Sequence, residues 1–253
     1  MNISAVIPVF NTDPKYLREA VMSVLAQTYP VCELIVVNDG STRPETLSEL
    51  AGMKAVSPIV VINQPNKKIS GALNTGIKNM AGDWFAGCGS DDRWFPDRLE
   101  EQVKFIEAHP EARVLYCDWE FMDNRGIPIQ THLEPSGFKD RIEAGKHMIR
   151  EHIGMWSGMM IHKSVFDNVG LYNESFPTRE DYEMHIRILT KYMMYHMPRV
   201  LAQYRLHGEQ ISNSRSHGSF TDVGKKYCEM ARDLAIEHFG NEYDRKEFPV
   251  GRY

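Results

Sequence analysis

Two short segments carry acids where chemistry is most readily done. Val36-Val37-Asn38-Asp39-Gly40-Ser41 continues the apolar run from Leu34, and Gly89-Ser90-Asp91-Asp92 follows Trp84-Phe85-Ala86-Gly87-Cys88. In an open α/β sheet, ligands bind at the carboxyl ends of strands, near a switch in strand order. Acidic loops at two such ends suit a sugar that bears a diphosphate and a nucleoside. A hard cation such as Mg²⁺ or Mn²⁺ would help, because it takes oxygen ligands and shares them with substrate phosphates. Each segment also has a plainer reading. Asn38 to Ser41 are all good turn formers, which makes an exposed turn, and Asp91-Asp92 can serve solubility alone.

A third acidic pair, Glu180-Asp181, opens a helical stretch that runs to about Tyr192. Acids in a first helical turn complement the macrodipole. A carboxylate there can also take the proton of an attacking hydroxyl. His207, within Tyr204-Arg205-Leu206-His207-Gly208, is one of ten histidines, and a lone histidine is more often structural than a ligand. Lys68, in Asn66-Lys67-Lys68-Ile69-Ser70, reads equally well as a solvated loop lysine. Trp156 fits either a sugar-stacking pocket or the core, and Met155, Met159, Met160, Met193, Met194 and Met197 read as core filling.

The elements that must position these groups alternate along the first half. Ile3 to Phe10 reads as a buried strand, followed by Asp13 as an N-cap and Pro14 at the first helical position. Strands are expected at 34–37, 59–62, 84–88 and 114–117, with helices at 72–80 and from Pro96. Such alternation predicts a doubly wound, mainly parallel sheet. After about residue 119 the pattern becomes irregular. Residues 123–140 read as loop, and a helix from Ser219 carries Phe220, Val223, Tyr227, Met230, Leu234 and Ala235 on its apolar face.

The 253 residues, 42% hydrophobic and 25% charged, suffice for one large α/β domain. The net charge of −5 argues against a nucleic-acid partner. Four scattered cysteines without a CxxC pair fit reduced thiols, hence a cytoplasmic protein. No basic leader precedes the first apolar run, and no run approaches the ~20 residues that span a bilayer. Work at the inner face of the membrane stays compatible with this.

Ile3-Ser4-Ala5-Val6-Ile7-Pro8-Val9-Phe10-Asn11, Asp39-Gly40-Ser41, Asn74-Thr75-Gly76 with Ala81-Gly82-Asp83, Ser90-Asp91-Asp92 and Pro96-Asp97-Arg98-Leu99 occur in that order. Together they resemble the landmarks of the family 2 inverting glycosyltransferases, over about residues 3–215. The resemblance implies the GT-A fold: a doubly wound, mainly parallel α/β sheet with helices on both faces and an acceptor-binding C-terminal half. It also implies a nucleotide-sugar donor, most readily a UDP-sugar, with Mn²⁺ or Mg²⁺ as cofactor. The acceptor would be a glycan or lipid-linked hydroxyl, in surface polysaccharide or glycoconjugate synthesis. In one compact domain, residues 1–118 would bind donor, 119–218 would bind acceptor and supply the base, and 219–253 would form a terminal helix and tail.

Site roles follow from the same resemblance. Asp39 would accept from the imide N–H of the base, flanked by Pro8, Val9, Phe10 and Asn11, with Lys68 and Asn74 near the nucleotide. Asp91 would hold the ribose hydroxyls and Asp92 the metal. His207 would be a further metal ligand or a phosphate contact, and Arg205 a phosphate contact. Asp181 would be the general base, with Glu180 as its rival. Gly89 departs from the pattern, because the family's motif has an acid there. A nucleotidyltransferase is the first alternative, but Val6 to Asn11 lacks a Gly-rich basic phosphate loop. A non-catalytic nucleotide- or sugar-binding module is the second; Gly89 favours it and the retained Glu180-Asp181 oppose it. The absence of a Gln-x-x-Arg-Trp motif argues against a processive synthase.

Overall fold

The computed structural model describes residues 1–210 and 222–240. The first half runs β1 (Ile3–Val9), α1 (Pro14–Leu25), β2 (Glu33–Asp39), α2 (Pro44–Met53), β3 (Ile59–Gln64), α3 (Lys68–Asn79) and β4 (Trp84–Gly87). It continues through β5 (Arg93–Trp94), α4 (Arg98–Ala108), β6 (Val114–Met122), β7 (Pro128–His132) and α5 (Arg141–Met148). A 3₁₀ turn (Trp156–Gly158), β8 (Met160–His162), α6 (Lys163–Val169), α7 (Glu180–Leu189), β9 (Tyr195–Arg205) and α8 (Asp222–Phe239) complete the described chain.

One sheet joins the two halves in the order β3-β2-β1-β4-β8-β6-β9-β5, with β7 beside β6. Strands β3, β2, β1 and β4 pair in parallel, as do β6 and β9; β8, β5 and β7 pair antiparallel to their neighbours. The chain steps outward from β1 to β3, then returns to place β4 on the other side of β1. The switch in strand order therefore lies between β1 and β4, which puts Phe10–Asn11 and Gly89–Asp92 at one crevice.

All seven residues of β1 are buried, as expected for a strand covered on both faces. Its side chains alternate: Val6 joins a core with Leu73 and Ile77 of α3, while Ala5, Ile7 and Val9 join another with Leu17 and Val24 of α1. Asp13 caps α1 by accepting from the Lys15 N–H at 2.7 Å, ahead of Pro14.

The second half departs from the sequence-based expectation. The stretch read as loop contains β7, which pairs antiparallel with β6, and the unforeseen β9 is a long strand at the sheet interior. Pro198, His196 and Arg199 masked β9, yet its register shifts near Asp118 accommodate them beside β6. Helices α2 and α5 were also unforeseen; their apolar faces are short, and packing decides them. The terminal helix forms, but Val223 and Met230 point outward and Gly224, Ala231, Ala235 and Phe239 inward. Phe239 lies so close to α5 that a Cβ at Gly145 would meet its ring at 2.5 Å. Ser219 and Phe220 lie outside the described residues. Among the described residues, no helix is long and apolar enough to cross a membrane.

Candidate active site

A cleft of about 590 Å³ opens at the carboxyl ends of β1, β2 and β4. Its wall includes Pro8 to Asn11, Asp39, Lys68, Asp91, Asp92, Glu180, Asp181 and His207. Segments separated by more than a hundred residues thus meet at one place. The three non-glycine residues with left-handed backbone among the described residues, Asn11 (φ 52°), Lys68 (φ 63°) and Arg179 (φ 61°), all line it. Such backbone costs free energy and gathers at functional sites.

On one side, Asp39 ends β2 and is buried, not set in an exposed turn. Its Oδ1 accepts from Gln64 Nε2 and from the Lys67 N–H, both at 2.7 Å, so Oδ2 is the oxygen left for a ligand. Asn11 braces this wall. Its Oδ1 accepts from the N–H groups of Thr42 and Arg43 at 2.7 and 2.9 Å, and its own N–H donates to Ser41 Oγ. Gly40 has φ 74°, and a Cβ there would stand 2.8 Å from Asn66 N, so this turn demands glycine.

On the floor, the adjacent acids Asp91 and Asp92 have different environments. Asp92 is buried; its Oδ2 accepts from Ser157 Oγ at 2.6 Å and its Oδ1 from the Arg205 N–H at 3.1 Å. Burial, then the neighbouring Asp91 charge, push its pKa up to about 7. Ser157 is itself fixed, because its carbonyl accepts from the buried Arg98 guanidinium at 2.7 Å. Asp91 instead extends its Oδ2 to within 2.8 Å of His207 Nε2. The Glu209 N–H donates to His207 Nδ1 at 3.3 Å, which leaves Nε2 facing the carboxylate. With Nδ1 accepting, Nε2 carries the ring proton and donates it to Asp91. Moving that proton to Nδ1 would free Nε2, and the carboxylate and imidazole that converge in the cleft could then hold a divalent cation whose other ligands come from phosphate. Among the described residues no third His, Cys, Asp or Glu completes a protein-only cage.

Gly89, where the family pattern has an acid, is tied to Asp92: a Cβ at Gly89 would lie 2.4 Å from Asp92 Oδ2. Arg205 and Asn74 do not line the cleft. The Arg205 guanidinium is fully buried under the Tyr16 ring, donating to the Asp91 carbonyl at 2.7 Å and to Glu19 at 2.5 Å. It clamps the acidic loop from behind. Asn74 joins α3 to the Tyr172 backbone through a pair of 2.9 Å hydrogen bonds.

On the far wall, Glu180 and Asp181 open α7 and differ sharply in ionisation. Burial, then the adjacent Asp181 charge, raise the Glu180 pKa to about 8, so it keeps its proton at neutral pH. Burial also opposes ionisation of Asp181, but His152, His185, Arg179 and the Tyr182 N–H outweigh it and hold its pKa below the usual range. The pair thus offers one ready proton acceptor, Asp181. Sequence reasoning passed over Ser157, Arg179, Tyr16 and Tyr204. Ser157, the one hydroxyl in the apolar run 153–161, and Arg179, next to an acid pair, carried a usable signal.

The Glycosyl transferase family 2 profile matches residues 4–170. An uncharacterized glycosyltransferase of Rickettsia typhi is 31% identical over 215 residues, covering 84% of this chain and 66% of that protein. Another, of Rickettsia felis, is 30% identical over 218 residues, covering 85% of this chain and 36% of that protein. The chain thus spans between roughly a third and two-thirds of the length of these relatives. Among solved structures, S. aureus TarS 1-349 in complex with UDP-GlcNAc matches with a TM-score of 0.72 at 19% identity, over 97% of this chain and 69% of TarS. The complex with UDP gives 0.66 at 18% identity, over 97% and 74%. This likeness identifies the fold as GT-A, and the sequence match is independent of it. The chain belongs to glycosyl transferase family 2.

Proposed function

We propose that the chain transfers a hexosyl or N-acetylhexosaminyl group, with inversion, from a UDP-sugar to a hydroxyl of a glycan or lipid-linked acceptor. This would serve surface polysaccharide or glycoconjugate synthesis, at the inner face of the membrane. The observation that carries the proposal is the facing of three acidic sets across one cleft: Asp39, the Asp91–His207 pair, and Glu180-Asp181. The UDP and UDP-GlcNAc complexes of TarS support the donor class.

Each set has a role that its geometry suits. Asp39 Oδ2 would accept the imide N–H of uracil, with Phe10, a cleft residue that is 49% exposed, beside the ring. Asp91 and His207 would hold Mn²⁺ or Mg²⁺, which when bound neutralises charge on the departing diphosphate. Asp92, with both oxygens engaged inside the protein, would support this loop and not ligate. Asp181 would take the proton of the acceptor hydroxyl as that oxygen attacks the anomeric carbon from the face opposite the nucleotide. Glu180, protonated at neutral pH, cannot accept it and would donate a hydrogen bond instead. A single displacement needs no covalent intermediate.

The test screens nucleotide sugars by thermal shift with Mn²⁺ and then assays transfer with the best donor. A UDP-sugar should stabilise the protein most. Asp181→Asn should reduce turnover by ~10²–10⁴ while donor affinity stays near wild type. Stabilisation by GDP- or CMP-sugars alone, or full turnover by Asp181→Asn, would refute the reading.

A further inference from the structure

Four basic side chains line the cleft, and two of them already have acidic partners: Arg43 pairs with Glu209 at 2.8 Å and His207 with Asp91 at 2.8 Å. Arg179 forms no ion pair among the described residues, and its Nε is buried without a hydrogen-bond partner. It sits two residues before Asp181, in left-handed backbone that a glycine would adopt without cost. It lines the same cleft as Asp181, and that carboxylate, whose charge it feels, lies beyond ion-pair distance. A guanidinium in such a setting matches the planar, bidentate geometry of phosphate or carboxylate oxygens.

We propose that Arg179 binds an anionic group, phosphate or carboxylate, carried by the acceptor near the hydroxyl that attacks. The proposal rests on the reading of the cleft as a UDP-sugar transfer site. It selects among acceptors: those with an anion beside the attacking hydroxyl gain a charge-assisted contact, and neutral ones leave Arg179 unpaired. Lys68, the other cleft cation without an ion pair among the described residues, stands at the start of α3 beside the Asp39 wall. Ser70 Oγ, just beyond it, donates to the Phe176 carbonyl at 3.0 Å and thereby ties the two walls together.

The experiment uses inorganic phosphate as the probe, titrated calorimetrically into the protein saturated with UDP and Mn²⁺. The UDP step tests the donor reading by itself, and the phosphate step tests Arg179. Phosphate should bind the UDP-loaded protein, and Arg179→Gly should weaken that binding by at least about tenfold. Gly suits φ 61°, so this variant should fold, as an unchanged UDP affinity would confirm. Arg179→Lys keeps the charge but not the fork and should fall between the two. Equal phosphate affinity in wild type and Arg179→Gly would overturn the proposal. So would phosphate that binds only without UDP, since the anion would then occupy the donor diphosphate's place.

Discussion

Asp91 Oδ2 and His207 Nε2 approach to 2.8 Å, joining the loop after β4 to the loop after β9 across 116 residues of sequence. The two loops meet because β9 lies in the same sheet as β4 and ends at the same crevice. Arg205, two residues before His207, holds both Asp91 and Asp92 from behind.

From this pair follows a difference between neighbouring acids. UDP and Mn²⁺ together should raise Tm more than the sum of their separate effects. Asp91→Ala and His207→Ala should each abolish that excess. Asp92→Ala should instead lower stability by about 1–3 kcal/mol, because Ser157 Oγ and the Arg205 N–H lose a buried acceptor. Thermal shift across a metal titration measures both effects. If Asp92→Ala alone removes the metal dependence, the roles are reversed.

Gly89 invites restoration of the missing acid. Gly89→Asp should not tighten Mn²⁺ binding, because its Cβ would collide with Asp92 Oδ2, which Ser157 pins in place. The cost should be about 1–3 kcal/mol, read as a lower urea midpoint. A variant with native stability and tighter Mn²⁺ binding would contradict this packing argument.

Asp39 supports its own wall and, on the proposed function, would also recognise the base. Asp39→Asn keeps an oxygen for Gln64 Nε2 and the Lys67 N–H but presents an amide where the ligand needs an acceptor. UDP affinity by calorimetry should fall by roughly tenfold or more, with Tm nearly unchanged. Asp39→Ala should lower Tm as well, since those donors lose their partner. The exposed turn expected from Asn38 to Ser41 would have tolerated it.

The acid pair at α7 predicts a pH dependence of stability. Glu180 releases its proton at about 8 in the folded chain and near 4.3 when unfolded. Between those values the folded state binds more protons, so stability falls as pH rises. Asp92 acts in the same direction up to about 7. Asp181, whose pKa is lowered, acts oppositely but only in the acid range below its ordinary value. Buried His185, pushed down to about 3, and His152, also lowered, act oppositely below the ordinary histidine value of about 6.5. The urea midpoint should therefore drop between about pH 6.5 and about 8, and Glu180→Gln should flatten that slope. An unchanged slope in Glu180→Gln would show that Glu180 is ionised at neutral pH.

Local sequence determined much of the first half of the chain. β1, β2 and β4 are short apolar runs buried on both faces, and small-residue turns follow them, so their existence and the loops at their ends were legible. So was the capped start of α1, because Asp13 and Pro14 act within one turn. The tertiary structure decided the rest. β9 has an irregular polar pattern and becomes a central strand only through pairing with β6 and β5. Asp91 and Asp92 are equivalent in sequence, and only burial against Ser157 and Arg205 makes one a supporting group and leaves the other facing His207. Glu180 and Asp181 separate for the same reason. A carboxyl's ionisation depends on the water and charges around it, and those are supplied by residues far away in the chain.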